Sequence, residues 1–193
     1  MRNELIPTQK PEIHIDVGGG TGEYLFNKAK ENPDKTFVIL DPFPNLSNNK
    51  NSTSKLKNLH TIIWKSDIDS HLPFLEGTIS EASANFLMGE LNTKEEASTT
   101  IEEDKQKYAR LMRDIKNVLK KDGKIIIVDT KACINYIMEV LNEVGLKITS
   151  EPRPITLDEK EMSVWSAAFF DMNESTGKKT SSLLPMILEA IKE

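Results

Sequence analysis

One stretch constrains the fold more than any other: Ile13-His14-Ile15-Asp16-Val17-Gly18-Gly19-Gly20-Thr21-Gly22. A run rich in β-branched residues ends in an acid and then breaks into glycine. The next residues, Glu23 to Lys30, read as a helix. Strand, glycine turn and helix together open a parallel α/β sheet. Glycine suits such a turn because it tolerates positive φ and lets another group approach the backbone. The helix behind it turns unpaired N–H groups and the positive end of its dipole into the turn, where an anionic group is stabilised. Thr21 is the expected cap of that helix, with Glu23 in its first turn.

The spacing excludes two common ligand motifs. A dinucleotide fingerprint starting from Gly18 and Gly20 needs a third glycine where Glu23 stands. A phosphate-binding P-loop needs a Gly-Lys-Ser/Thr triplet, and none follows. A second acid lies in register with the first. Thr36-Phe37-Val38-Ile39-Leu40 is a continuous apolar run, as in a strand buried on both faces, and it ends at Asp41, twenty-one positions after Gly20. An acid at that place can accept hydrogen bonds from ribose hydroxyls.

Asp16-x-Gly18-x-Gly20-x-Gly22 together with Asp41 resembles the first two motifs of class I S-adenosylmethionine-dependent methyltransferases. The resemblance runs from about residue 12 to residue 171. It implies a Rossmann-like fold: a mostly parallel seven-stranded sheet with an antiparallel last strand and helices on both faces. It also implies cofactor contacts from Asp16, Gly18, Gly19, Gly20 and Gly22, from Asp41, Pro42 and Phe43, and from Asp67 and Ile68 after the third strand. The loop Met88 to Asn92 would face the transferable methyl, and Glu90, its one acid, is the candidate base.

Within that class the Asp-Val-Gly-Gly-Gly run is similar to small-molecule O-methyltransferases, although the sequence given has no counterpart of their large N-terminal dimerisation domain. The spacing of Asn32-Pro33-Asp34, Leu72-Pro73-Phe74 and Asn85-Phe86 is similar to tRNA 7-methylguanosine methyltransferases. Their following Pro-Asp-Pro-Trp is replaced here by Leu87-Met88-Gly89-Glu90, and their basic segment is absent. A small-molecule acceptor is therefore the expectation. A tRNA-modifying relative and a noncatalytic cofactor-binding module stand as alternatives.

Composition bears on partners and compartment. The net charge of −5 argues against strong binding to nucleic acid or an anionic membrane. No run of about 18 apolar residues is present, and Met1 to Pro11 is polar, without the apolar core of a secretory leader. The single cysteine, Cys133, fits a reducing cytoplasm and offers neither a disulfide nor a zinc cluster, so no metal is expected. A length of 193 residues suits one domain, with residues 1–11 as an arm.

The remaining elements follow from periodicity. His60 to Lys65 and Glu81 to Leu87 read as the third and fourth strands. Ile101, Tyr108, Leu111, Met112, Ile115, Val118 and Leu119 recur at helical spacing after a capping box at Thr99 or Thr100, with Gly123 as the expected stop. Lys124 to Asp129 reads as a buried fifth strand. Ile134, Ile137, Met138, Leu141 and Val144 mark a helix face ending at Gly145. Leu146 to Ser150 and Ser163 to Phe170 read as late strands. Residues 173–193 read as a linker and a short helix over Ser182 to Lys192.

Overall fold

The structure, a computed structural model, describes residues 11–20, 22–42, 56–64, 71–85, 101–155 and 185–193. β1 (Ile13–Val17), α1 (Glu23–Glu31) and β2 (Thr36–Asp41) form the opening unit, followed by β3 (Leu59–Ile63) and β4 (Ile79–Asn85). Then come α2 (Ile101–Val118), β5 (Leu119–Thr130), α3 (Lys131–Val144), β6 (Lys147–Ile148), β7 (Arg153–Pro154) and β8 (Pro185–Ile191). The sheet order is β3-β2-β1-β4-β5-β8-β6, with β7 also pairing β8. β1 to β5 run parallel, and β8 is antiparallel to its three neighbours.

Alternation along the strands divides two cores. Ile15 and Val17 of β1 join Ile125 and Ile127 of β5 beneath α2 and α3, which contribute Tyr108, Met112, Ile115, Ile134, Ile137 and Leu141. The opposite face is smaller: Leu25 and Ala29 of α1 pack on Phe37, Ile39 and Leu59. Fully burying a side chain such as Leu25 contributes about 1.5–3 kcal/mol, which anchors a nine-residue helix too short to persist alone. Polar residues of β1 and β4 share this smaller face.

The sheet has eight strands where seven were expected, since the two-residue strands β6 and β7 both pair with β8. Three further expectations change. The segment expected as a C-terminal helix is the strand β8. Met186, Leu188 and Ala190 face the large core, while Ile187 packs on Ile126, Val128 and Ile155 on the other side. A segment apolar on both sides belongs in the middle of a sheet, and Pro185 stands at its first position, where a missing N–H is tolerated. The antiparallel strand expected at Ser163 to Phe170 lies outside the described residues; β8 takes an antiparallel place between β5 and β6. Second, α2 ends at Val118 rather than at Gly123, because Leu119 already pairs with Ile79. The register then shifts to Glu81 opposite Lys124, with Asp122 at φ 60°. Third, the cap of α1 is Gly22 in the left-handed region, with no side-chain cap bond; Thr21 lies outside the described residues. The expected capping box before α2 also lies outside them.

Two helix ends match expectation. α1 stops before Pro33, with Asn32 as its C-cap. Gly145 closes α3 in the left-handed region. Leu72 is buried in the large core, and Phe74 packs against it. Among the described residues no helix is long and apolar enough to cross a membrane.

Candidate functional site

β1 lies between β2 and β4, and the chain order reverses at this point: β2 and β3 extend one way, β4 and β5 the other. The crevice outside the C-terminal strand ends at such a switch point is where open α/β sheets take ligands. The glycine turn leaves β1 there. Gly18 N–H donates to Leu40 O at 2.8 Å, and Gly22 N–H to Gly19 O at 2.8 Å, which closes the turn. Gly20 N–H donates to Asp41 Oδ2 at 2.8 Å and ties the turn to the end of β2. The two motifs that stand twenty-one positions apart in sequence are thus one structure.

The glycines serve different ends. Gly22 has φ 70°, and a Cβ there would stand 2.2 Å from Ile39 Cδ1; Ile39 is fully buried. A Cβ at Gly19 would lie 2.9 Å from Ile39 Cγ2. These two glycines let the turn pack down on β2. Gly20, at φ 51°, is different: a Cβ there would meet nothing within 4 Å among the described residues. Among the described residues the turn is open at Gly20, next to the first-turn amides of α1, whose cap Gly22 offers no side chain. An anion placed there would be met by backbone N–H groups.

Asp16 lies beneath this turn and is 2% exposed. It stands in register between Ile39 on β2 and Ser83 on β4. Ser83 Oγ donates to its Oδ1 at 2.6 Å, and Asn85 Nδ2 to the same oxygen at 3.3 Å. Burial pushes the Asp16 carboxyl up to about 7, against the opposing pull of the Ser83 bond and the Lys28 charge; the neighbouring charge of Asp41 adds to the rise. Further down the same face Lys28 of α1 pairs with Glu81 at 2.8 Å, and Lys28 Nζ also stands 4.7 Å from the Tyr24 ring centre. Burial raises Glu81, but the proximity of His14 and Lys28 overcomes it and holds that carboxyl at about 2.

The structure therefore brings together Asp16, Gly18, Gly19, Gly20, Gly22 and Asp41, with Pro42 directly following. Phe43, Asp67, Ile68 and Glu90 lie outside the described residues. The sequence reading did not place Ser83 and Asn85 against Asp16. Their signal was the alternation Glu81-Ala82-Ser83-Ala84-Asn85, which puts three polar side chains on one face of a buried strand. That this face meets Asp16 is a matter of register.

No family model matches the chain. A tRNA (guanine-N(7)-)-methyltransferase of Bacillus cytotoxicus is 29% identical over 150 residues, covering 76% of this chain and 65% of that relative's length. The 16S rRNA methyltransferase KamB superposes with a TM-score of 0.66 at 14% identity, over 96% of this chain and 90% of its own. The chain has the fold of the S-adenosylmethionine-dependent methyltransferases. A member of that group from Mesorhizobium loti superposes with a TM-score of 0.62 at 11% identity, over 97% of this chain and 94% of its own.

Proposed function

We propose that this chain binds S-adenosylmethionine and directs its methyl group to an acceptor. The observation that carries the reading is the glycine turn fastened to the acid of β2, closed by packing at Gly22 and open at Gly20. The residues present fit the group. Asp41 would take the ribose hydroxyls while still accepting from Gly20 N–H, since a carboxylate has about four acceptor sites. The first-turn amides of α1, whose cap Gly22 offers no side chain, suit the cofactor's carboxylate. When bound, the cofactor supplies an electrophilic methyl on a sulfonium. The chain's own part is alignment, which can be worth ~7–11 kcal/mol of a barrier.

Calorimetry with S-adenosylhomocysteine on the wild type and on Asp41→Ala tests this. Asp41→Ala removes an acceptor of charge-assisted bonds and frees the Gly20 amide. The expected loss is about 2–4 kcal/mol, or ~30- to 1000-fold in affinity. No heat in the wild type refutes the reading. Binding without release of S-adenosylhomocysteine across small-molecule, RNA and protein pools makes the chain a cofactor-binding module instead.

For the acceptor, two readings each have an observation in favour. RNA is supported by what the Bacillus cytotoxicus relative and KamB are named for acting on. A small molecule is supported by the net charge of −5 and by Leu87-Met88-Gly89-Glu90 in place of Pro-Asp-Pro-Trp.

A further inference from the structure

His14 of β1 stands in register between Phe37 of β2 and Glu81 of β4, and it is 8% exposed. Both ring nitrogens are sealed from solvent, and among the described residues neither has a hydrogen-bond partner. Each nevertheless faces a carboxylate. Nδ1 is 3.4 Å from Glu81 Oε1, and Nε2 is 3.8 Å from Glu12 Oε2. Each carboxylate also has a lysine, Lys28 of α1 on Glu81 and Lys35 on Glu12, both at 2.8 Å. Lys35, Glu12, His14, Glu81 and Lys28 therefore form one chain of contacts across β1. Buried polar groups seldom stay unmatched without a reason.

We propose that His14 is a pH-operated latch: protonated, it ties Glu81 to Glu12 and fastens α1 to the sheet, and deprotonated, it releases that tie. The latch stands independently of the methyltransferase reading. A neutral imidazole leaves one donor and one acceptor unmatched, which is costly in a buried place. A protonated ring has two donors, one for each carboxylate, and charges then alternate along all five groups. The other groups around the ring are few among the described residues. Phe37 packs against it from β2 at 5.0 Å between ring centres and brings no charge. Tyr24 of α1 lies at Lys28, and Asp16 follows two residues along β1. The two lysines oppose a charge on the ring, but each is paired with a carboxylate that favours it. Glu81 is the arm that matters for the site. It holds Lys28, which belongs to the helix behind the glycine turn. Histidine changes charge between pH 5 and 8. The fastened state is the one that carries the proton, so the fastening is present at the acid end of that range and is lost as pH rises.

Hydrogen exchange of the α1 amides from pH 5 to 8, corrected for intrinsic rates, tests this on the wild type, His14→Gln and Glu81→Gln. Asp16 titrates in all three proteins, so its share cancels in the comparison. Across that range the wild-type helix should lose about tenfold or more protection beyond what the His14→Gln helix loses, the range for one hydrogen bond to a charged group. Glu81→Gln keeps the histidine and removes the anion, and its profile should be as shallow as that of His14→Gln. His14→Phe keeps a ring beside Phe37 and serves where the glutamine variant does not fold. A folded His14 variant whose protection falls as steeply as that of the wild type overturns the proposal. So does a Glu81→Gln profile as steep as the wild type's.

Discussion

Asp16→Asn should change how stability depends on pH, and the structure sets the size of the change. Asp16 is buried among Ser83, Asn85 and Ile39, with Lys28 and Asp41 as its charged neighbours. Burial lifts its carboxyl from an ordinary 3.8 to about 7. A raised carboxyl favours the folded state in its protonated form. Its contribution is complete below about pH 3.8 and is lost as pH rises through about 7. Each pKa unit corresponds to about 1.4 kcal/mol, so the wild type should lose roughly 2–3 kcal/mol between pH 5 and pH 8 through this group alone. Asparagine has nearly the same shape, and its Oδ1 still accepts from Ser83 and Asn85, but it does not titrate. Urea denaturation of both proteins at half-unit steps from pH 5 to 8 gives the difference directly. The variant should gain on the wild type by that amount as pH rises. Parallel profiles within 0.5 kcal/mol would refute the assignment of a strained buried carboxylate at this position.

Two further outcomes follow from the turn and from the charge. Gly22→Ala forces a left-handed alanine and drives its Cβ into Ile39 Cδ1, so it should cost ~2–4 kcal/mol. Ile39→Val alone should cost ~0.5–1.5 kcal/mol, and the double variant should recover at least ~0.5 kcal/mol relative to the sum; strict additivity in urea denaturation counts against the contact. Unmodified tRNA should bind weakly at low salt and lose that binding steeply as salt rises. Submicromolar affinity at physiological salt, read by fluorescence anisotropy, would decide for the RNA acceptor.

The opening unit was legible because several local signals agree there. β-branched residues alternate through Ile13, Ile15 and Val17, glycines break the run, and Pro33 stops the helix. α3 was legible for the same reason, its apolar stripe ending at a glycine. β8 was not. Leu183, Leu184, Ile187, Leu188 and Ile191 match a helical stripe, and only the pairing with β5 decides between a helix and a strand apolar on both faces. The end of α2 was misplaced in the same way: helical periodicity continues through Leu119, but Leu119 is held by Ile79 of β4. Within the site, Gly18, Gly20, Gly22 and Asp41 could be read from spacing. The contact of Ser83 and Asn85 with Asp16 could not, since it depends on which strand lies beside β1 and in which register. The division of labour among the glycines was equally hidden. Ile39, which makes Gly22 obligatory, is one more apolar residue in a run of five.

Asp16 and Glu81 occupy one face of neighbouring strands, yet their environments drive them in opposite directions. Glu81 has a cation within reach: Lys28 at 2.8 Å, with His14 beside it. That contact outweighs burial and holds the carboxyl at about 2, so its contribution is present above about pH 4.5 and is lost as pH falls toward 2. Among the described residues Asp16 has only neutral donors in bonding contact, and burial wins, so its contribution is lost on the other side, as pH rises through 7. The two windows overlap only between about pH 3.8 and 4.5, which is why a pH series above 5 separates Asp16 from Glu81. The contrast also bears on function. A structural carboxylate in this position could have been satisfied as Glu81 is, by a lysine from α1. Asp16 instead lies beneath the glycine turn with, among the described residues, Ser83 and Asn85 as its bonding partners, and its ionised form is disfavoured. Perturbed groups of this kind gather where a protein binds rather than where it merely packs.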